Sequence, residues 1–297
     1  MPLHFMALMS KHTKILLLVL LFSGAGRAGA QYFYSGKEYG VSLGGAEYFG
    51  DLNTNYGFKY VRPAGGAFIR FHLNPYIAIK TTLNYAKVGY DDKYSSDPFQ
   101  QRRNLNFKSD VVEFCVQGEF NFVRFSTGDF GSRFTPYLTG GVGAFYYNPY
   151  THLNGKRYYL RPLGTEGQNA GFDSHKYQPV SVCFPVGVGV KWWMNPGTNV
   201  GFEIADRLTM TDYLDDVSSY YVGSQYFAKD PSVQQPPAYY LQDRSTELTP
   251  NDPLGRPGKQ RGNTSTRDQY MMFMINVSFQ LKVYKCPGYI NHDFRTD

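Results

Sequence analysis

Two groups of residues in this 297-residue chain have the types and spacing to do chemistry. The first is Thr211-Asp212-Tyr213-Leu214-Asp215-Asp216-Val217-Ser218, which places three carboxylates within five residues. Clustered carboxylates suit a hard cation, although this spacing is not that of an EF-hand loop. Taken alone, the block reads as the solvated start of a loop. The second group is a set of charged residues inside otherwise apolar or small-residue stretches: Arg70, Lys80, Glu113, Glu119, Lys191, Glu203, Arg207 and Lys282. Unpaired charges in a narrow, low-dielectric space are costly, so these residues are expected to form a mutually paired luminal network. Such a network either plugs its compartment or lines a gated polar path; the plug is the plainer reading.

Other chemistry is thinly represented. The chain has no G-x-S-x-G nucleophile elbow, no P-loop and no C-x-x-C pair. His72, His152, His175 and His292 are widely separated and lack metal-ligand spacing. Gly140-Gly141-x-Gly143 and Gly187-x-Gly189 sit inside alternating segments with no following helix. They read as small inward residues that relieve crowding, not as phosphate loops. These absences predict a non-enzymatic protein with no cofactor and no resident metal. Cys115 and Cys183 fall in predicted strands and Cys286 just after the last one. Three is an odd number for a disulfide framework, so free thiols without a functional role are expected.

The elements that must position these residues follow from alternation. From Met271 to Val283, odd positions carry Met, Phe, Ile, Val, Phe, Leu and Val; even positions carry Met, Met, Asn, Ser, Gln and Lys. Side chains alternate faces along a strand, so one face is apolar and the other mostly polar. Similar segments occur at 38–49, 67–73, 76–90, 104–123, 136–147, 180–192 and 200–207. Pro185, in the sixth of the eight segments, would remove a ladder hydrogen bond and predicts a local bulge. Connections at 73–76, 124–135 and 194–199 are short, whereas those at 50–62, 91–103, 148–177 and 211–267 are long. That asymmetry predicts an all-β, transmembrane, antiparallel up-and-down barrel of about eight strands with long extracellular loops. Both termini then lie on the short-turn, periplasmic side. The last long loop is Pro- and polar-rich and is expected to be mobile, or ordered only by a partner.

Residues 1–30 resemble a secretory signal: Lys11 and Lys14 precede an apolar run from Ile15 to Phe22, and Ala28-Gly29-Ala30 ends in a small-x-small site. Sec-type export and cleavage near Ala30 are expected, followed by a barrel over 31–285 and a periplasmic tail over 286–297. Loss of Lys11, Lys14 and Arg27 takes the formal charge from +6 to +3, which does not argue for a nucleic-acid partner. Aromatic residues make up 17% of the chain, a richness that fits interfacial girdles and outer-membrane lipid as the surrounding partner.

The 203–218 stretch, the Arg261-Gly262-Asn263 re-entry and Glu38-Tyr39-Gly40-Val41-Ser42-Leu43-Gly44-Gly45-Ala46-Glu47-Tyr48-Phe49-Gly50-Asp51-Leu52-Asn53 resemble the PorG-like proteins. These are outer-membrane components of the type IX secretion system of gliding and periodontal bacteria. The resemblance implies a barrel in the cell outer membrane that docks a periplasmic ring of PorK and PorN and helps anchor or assemble the secretion machine. The alternative is a small structural or adhesive barrel acting through its outer loops. A solute pore is disfavoured by the crowded interior. An outer-membrane protease or lipase is disfavoured because Asp212, Asp215 and Asp216 have no obvious His partner.

Overall fold

A computed structural model describes residues 37–126, 132–195, 197–228 and 232–280. The expected signal over 1–30, the tail over 286–297 and Lys282 lie outside the described residues. Eight long strands carry the architecture: β1 (Lys37–Phe49), β2 (Arg62–His72), β3 (Ile77–Asp91), β4 (Asn106–Asn121), β5 (Phe134–Tyr146), β8 (Val180–Asn195), β9 (Thr198–Thr209) and β10 (Gln269–Gln280). Each pairs antiparallel with its sequence neighbour in this set, and β1 pairs with β10 from Glu38↔Gln280 to Phe49↔Gln269. The sheet therefore closes on itself. It is an up-and-down barrel without free edges.

The alternation read from the sequence sets what each face meets. Leu43 is 71% exposed and Leu83 57%, and the outward row of β8 runs Val180, Val182, Phe184, Val186, Val188, Val190, Trp192. Twelve residue steps at about 3.3 Å, tilted by about 45°, give an apolar belt roughly 28 Å tall, the height of a bilayer's hydrocarbon core. The barrel is transmembrane, and its outside is apolar because lipid replaces water there. No helix among the described residues is long and apolar enough to cross a membrane.

Pro185 does not make a bulge. The β5–β8 register is the same on both sides of it, at Gly140↔Val186 and Gly143↔Cys183, and the ladder omits the two pairs between. The unbroken pairing of Pro185 with Arg207 on the other side holds the strand in place. The register shift in this hairpin lies instead between Trp193 and Asn195, beside the turn.

The long connections are folded. The 148–177 link contains a hairpin of β6 (Pro149–Leu153) and β7 (Lys156–Tyr159), which extends the sheet through Lys108↔Tyr150. The helix α1 (Pro98–Arg103) starts with Asp97 accepting from Phe99 N and ends at Asn104, whose φ of 58° is tolerated by Asn. Two further single-turn helices, α2 (Leu160–Leu163) and α3 (Pro237–Leu241), lie in the third and fourth long loops. The expectation of a mobile last loop is corrected for its described part. Leu214, Val217 and Leu241 join Tyr48, Val88, Tyr90, Phe107 and Tyr270 in one buried cluster at the barrel's outer mouth. Burying those apolar side chains is what draws the loop down over the strands.

Candidate functional site

Every one of the eight barrel strands sends a polar side chain into a shared interior network. Glu119 on β4 is met by Arg70 Nε at 2.8 Å, Lys191 Nζ at 2.6 Å and Lys80 Nζ at 3.6 Å. Arg70 also reaches Glu38 on β1 at 2.7 Å, and Lys80 pairs with Glu203. Tyr137 on β5 donates to Glu203 at 2.7 Å, and Ser278 on β10 donates to Glu38 at 2.5 Å. Nearer the outer mouth, Arg207 approaches Glu113 at 3.2 Å, while Tyr270 and Asn84 donate to the same carboxylate at 2.6 and 2.8 Å.

The structure thus brings together Arg70, Lys80, Glu113, Glu119, Lys191, Glu203 and Arg207, all buried. It also adds Glu38, which with His72 forms a contact of 2.9 Å. Arg70, Lys80, Lys191 and Arg207 are thereby matched by Glu38, Glu113, Glu119 and Glu203. Glu38 was discoverable: it shares the inward phase of β1 with Gly40 and Ser42. Tyr137 and Tyr270 were hidden, because a tyrosine inside a barrel looks the same in sequence as one in an interfacial girdle. Gly189 has a packing reason, since a Cβ there would lie 2.4 Å from the Tyr137 ring. With these four carboxylates paired, and the Phe68 and Tyr137 rings set against Arg70, Lys80 and Lys191, the interior holds charge without exposing it to lipid.

Above this network lies a second constellation, built by the acidic block. The reading of Asp212–Ser218 as a solvated loop start is wrong for its centre: Asp215 and Asp216 are buried. Asp215 accepts from Tyr48 OH at 2.6 Å and from Val217 N at 2.8 Å. Asp216, at a left-handed φ of 66°, accepts from Thr165 at 2.5 Å and Tyr177 at 2.6 Å. Asp212, partly exposed, takes the Ser218 hydroxyl at 2.5 Å. Thr211 contacts Tyr147 OH at 2.9 Å, and Tyr213 stacks on Tyr177 at 4.6 Å between ring centres. Among the described residues these aspartates do not converge as a metal-ligand group; their oxygens are turned to loop N–H and hydroxyl donors instead.

Arg261 ties the block to the rest of the cap. Its guanidinium donates to Glu166 at 2.9 Å, Asp216 O at 2.6 Å, Thr165 at 3.1 Å and Gln242 O at 3.3 Å. Glu166 in turn accepts from Ser218 N, Ser219 N and the Ser219 hydroxyl. Arg103 grips Asp92 through two bonds of 2.8 Å and donates to Arg261 O at 2.6 Å. All four long loops enter this knot, through Asp51, Arg103, Glu166 and Arg261. The sequence signal available was the pairing of the Asp block with the Arg261 re-entry, which the PorG-like resemblance already set side by side.

The knot holds protons. Tyr48 OH lies within hydrogen-bond distance of both Asp215, at 2.6 Å, and Asp268, at 2.8 Å, yet a phenol has one proton to give. One of the two carboxyls must therefore carry a proton. Burial raises both far above the usual aspartate range, and the nearby carboxylates raise them further. Burial likewise pushes Asp212 up to about 7, and Asp51 and Asp216 up to about 6. Glu166 is also buried, but Arg261 and the serine donors outweigh burial and hold it low.

A folded pKa raised above the unfolded value adds stability that is complete below the unfolded pKa and disappears as pH rises through the folded one. The aspartates thus favour a closed cap at about pH 5 and weaken it by about pH 8, whereas Glu166 loses its contribution only under stronger acid. The expected result is protection of the Leu214 and Val217 amides, corrected for intrinsic exchange, on the order of tenfold higher at about pH 5 than at about pH 8. Equal protection at both values would mean that the carboxyls do not change protonation across this range.

A model of the family described as a domain of unknown function, DUF6089, matches residues 13–226. The chain belongs to this family. The match runs through β9 and the whole Asp212–Ser218 block and stops short of Arg261 and β10. No curated protein matches the sequence significantly. Among solved structures, the chain is similar to Neisserial surface protein A, at 10% identity over 83% of this chain and 98% of that one, with a TM-score of 0.40. It is similar to Ail, the attachment invasion locus protein of Yersinia pestis, at 8% identity over 83% and 99%, TM-score 0.39. The N-terminal β-barrel domain of Pseudomonas aeruginosa OprF gives 9% identity over 82% and 97%, TM-score 0.34. The barrel assignment rests on this family member's own closed ladder, not on these likenesses.

Proposed function

We propose that this chain is a non-conducting, non-enzymatic outer-membrane barrel that anchors the type IX secretion machinery by docking its periplasmic PorK/PorN-type ring. Its export would use a Sec-type signal cleaved near Ala30. The observation that carries the reading is the filled interior: a barrel closed near its short-turn end by the Glu119 cluster and at its mouth by the Arg261 knot offers no solute path. Such a barrel acts through its surfaces, its lipid contacts holding it in place. The partner comes from the PorG-like resemblance of the 38–53, 203–218 and 261–263 stretches.

Docking places the contact on the short-turn side, at the 126–135 turn and in the tail. Deleting residues 287–297 in cells, with the barrel still folded, is expected to lower recovery of the ring proteins severalfold on pull-down of the barrel. Unchanged recovery would remove the tail as the contact. The knotted outer loops favour a second reading, a structural or adhesive barrel, since they present Tyr56, Tyr220 and Tyr226 outward on an ordered support. A deletion strain that still secretes type IX cargo would favour that reading over the first.

A further inference from the structure

Cys115 on β4 and Cys183 on β8 flank β5 and lie in one row across the sheet, each paired with Gly143 between them. Both are buried in the interior as free thiols. Their sulfurs approach to 3.8 Å, and Cys183 Sγ lies 3.9 Å from Glu113 Oε2. Glycine at 143 makes this approach possible, because a Cβ there would sit 2.1 Å from Cys115 Sγ. The ligand atoms of Glu113, Cys115 and Cys183 all lie within 4.8 Å of one another.

A disulfide does not fit this row. Neighbouring strands run about 4.8 Å apart, so Cα atoms two strands apart are about 9 Å apart, beyond the roughly 7 Å that a disulfide spans. The thiols can meet but cannot close. A metal ion removes that difficulty by standing between them. Two thiolates bound to one tetrahedral ion at about 2.3 Å are about 3.8 Å apart, which is the separation found here.

We infer that Cys115, Cys183 and Glu113 form an interior site for a thiophilic d10 cation of the zinc class. Two sulfur donors select such an ion over calcium or magnesium, which take oxygen ligands. Charge also balances. The dication enters as the two thiols release two protons to solvent, so the net charge of the interior is unchanged. Arg207 already neutralises Glu113 and continues to do so. A low-dielectric interior tolerates that exchange far better than the addition of a bare ion. The site lies between the Glu119 network and the cap, so loading accompanies folding.

Cadmium is the probe, because its thiolate complexes absorb in the ultraviolet. The full chain carrying Cys286→Ser, which leaves Cys115 and Cys183 as its only thiols, is folded in detergent micelles with Cd2+ and then desalted. The expected result is one Cd2+ retained per chain, a thiolate-to-cadmium band, and displacement by Zn2+. Cys115→Ser and Cys183→Ser, checked as folded by heat-modifiable gel migration, should each weaken retention more than about tenfold. X-ray absorption at the cadmium edge should count two sulfur neighbours, a test that needs no change at the site. No retained cadmium in a folded chain with both thiols reduced would overturn the inference and leave a packed thiol pair. A Cys115–Cys183 disulfide, or equal retention in the double serine variant, would overturn it as well.

Discussion

Glu119→Gln is expected to cost the barrel about 3–5 kcal/mol, the usual penalty for removing one partner of a buried ion pair. Three cations, Arg70, Lys80 and Lys191, point at this carboxylate from β2, β3 and β8. Glutamine keeps the shape and removes the charge, leaving a buried excess of positive charge. Lys80 and Arg70 retain Glu203 and Glu38, whereas Lys191 loses the carboxylate it approaches at 2.6 Å. Adding Lys191→Met restores charge balance and should recover part of the loss, because residues within one network do not contribute additively. Urea unfolding in lipid vesicles, followed by gel migration, measures both variants. A Glu119→Gln barrel within about 0.5 kcal/mol of the parent would show that water, not the protein, neutralises the interior cations.

The barrel was legible because lipid and lumen impose a two-residue period that survives in any single strand. Val41, Leu43 and Ile275 face outward as their parity predicts, and Asn276 and Ser278 face inward. Strand ends were legible to within a few residues; β2 was the poorest, running back to Arg62 through Pro63, Gly65 and Gly66, which carry little hydrophobic signal. Pro185 misled because one missing N–H was weighed without the β9 partner that holds the strand in register.

The candidate site was half legible for a related reason. Interior charges declare themselves by parity, so most of the paired network could be listed without knowing who pairs with whom. The cap could not be read this way. Asp215 meets Tyr48 across 167 residues and Tyr48 meets Asp268 across 220, contacts that no local pattern encodes. A run of aspartates looks solvated until tyrosine, threonine and arginine donors from other loops are brought against it. The two thiols show the same limit: 68 residues apart in sequence, they become neighbours only once Gly143 places them in one row.

Arg261→Ala is expected to open the cap while leaving the barrel folded. The side chain makes four hydrogen bonds to three separate segments, and its loss strands the buried Glu166 carboxylate with serine donors alone. The local cost is again about 3–5 kcal/mol, now drawn from loop closure and not from the strand ladder. Protease should then cut within 211–268 at a rate at least about a hundredfold higher, with heat-modifiable migration of the barrel retained. Arg261→Lys should fall between, because one ammonium cannot span carboxylate, carbonyl and hydroxyl as the planar guanidinium does. If cutting is unchanged, the knot does not hold the loops. If loops and barrel unfold together, the cap is instead part of one cooperative unit with the strands. The acidic block would then act as barrel structure, because Tyr48 on β1 and Asp268 at the start of β10 would be carrying its energy directly into the ladder.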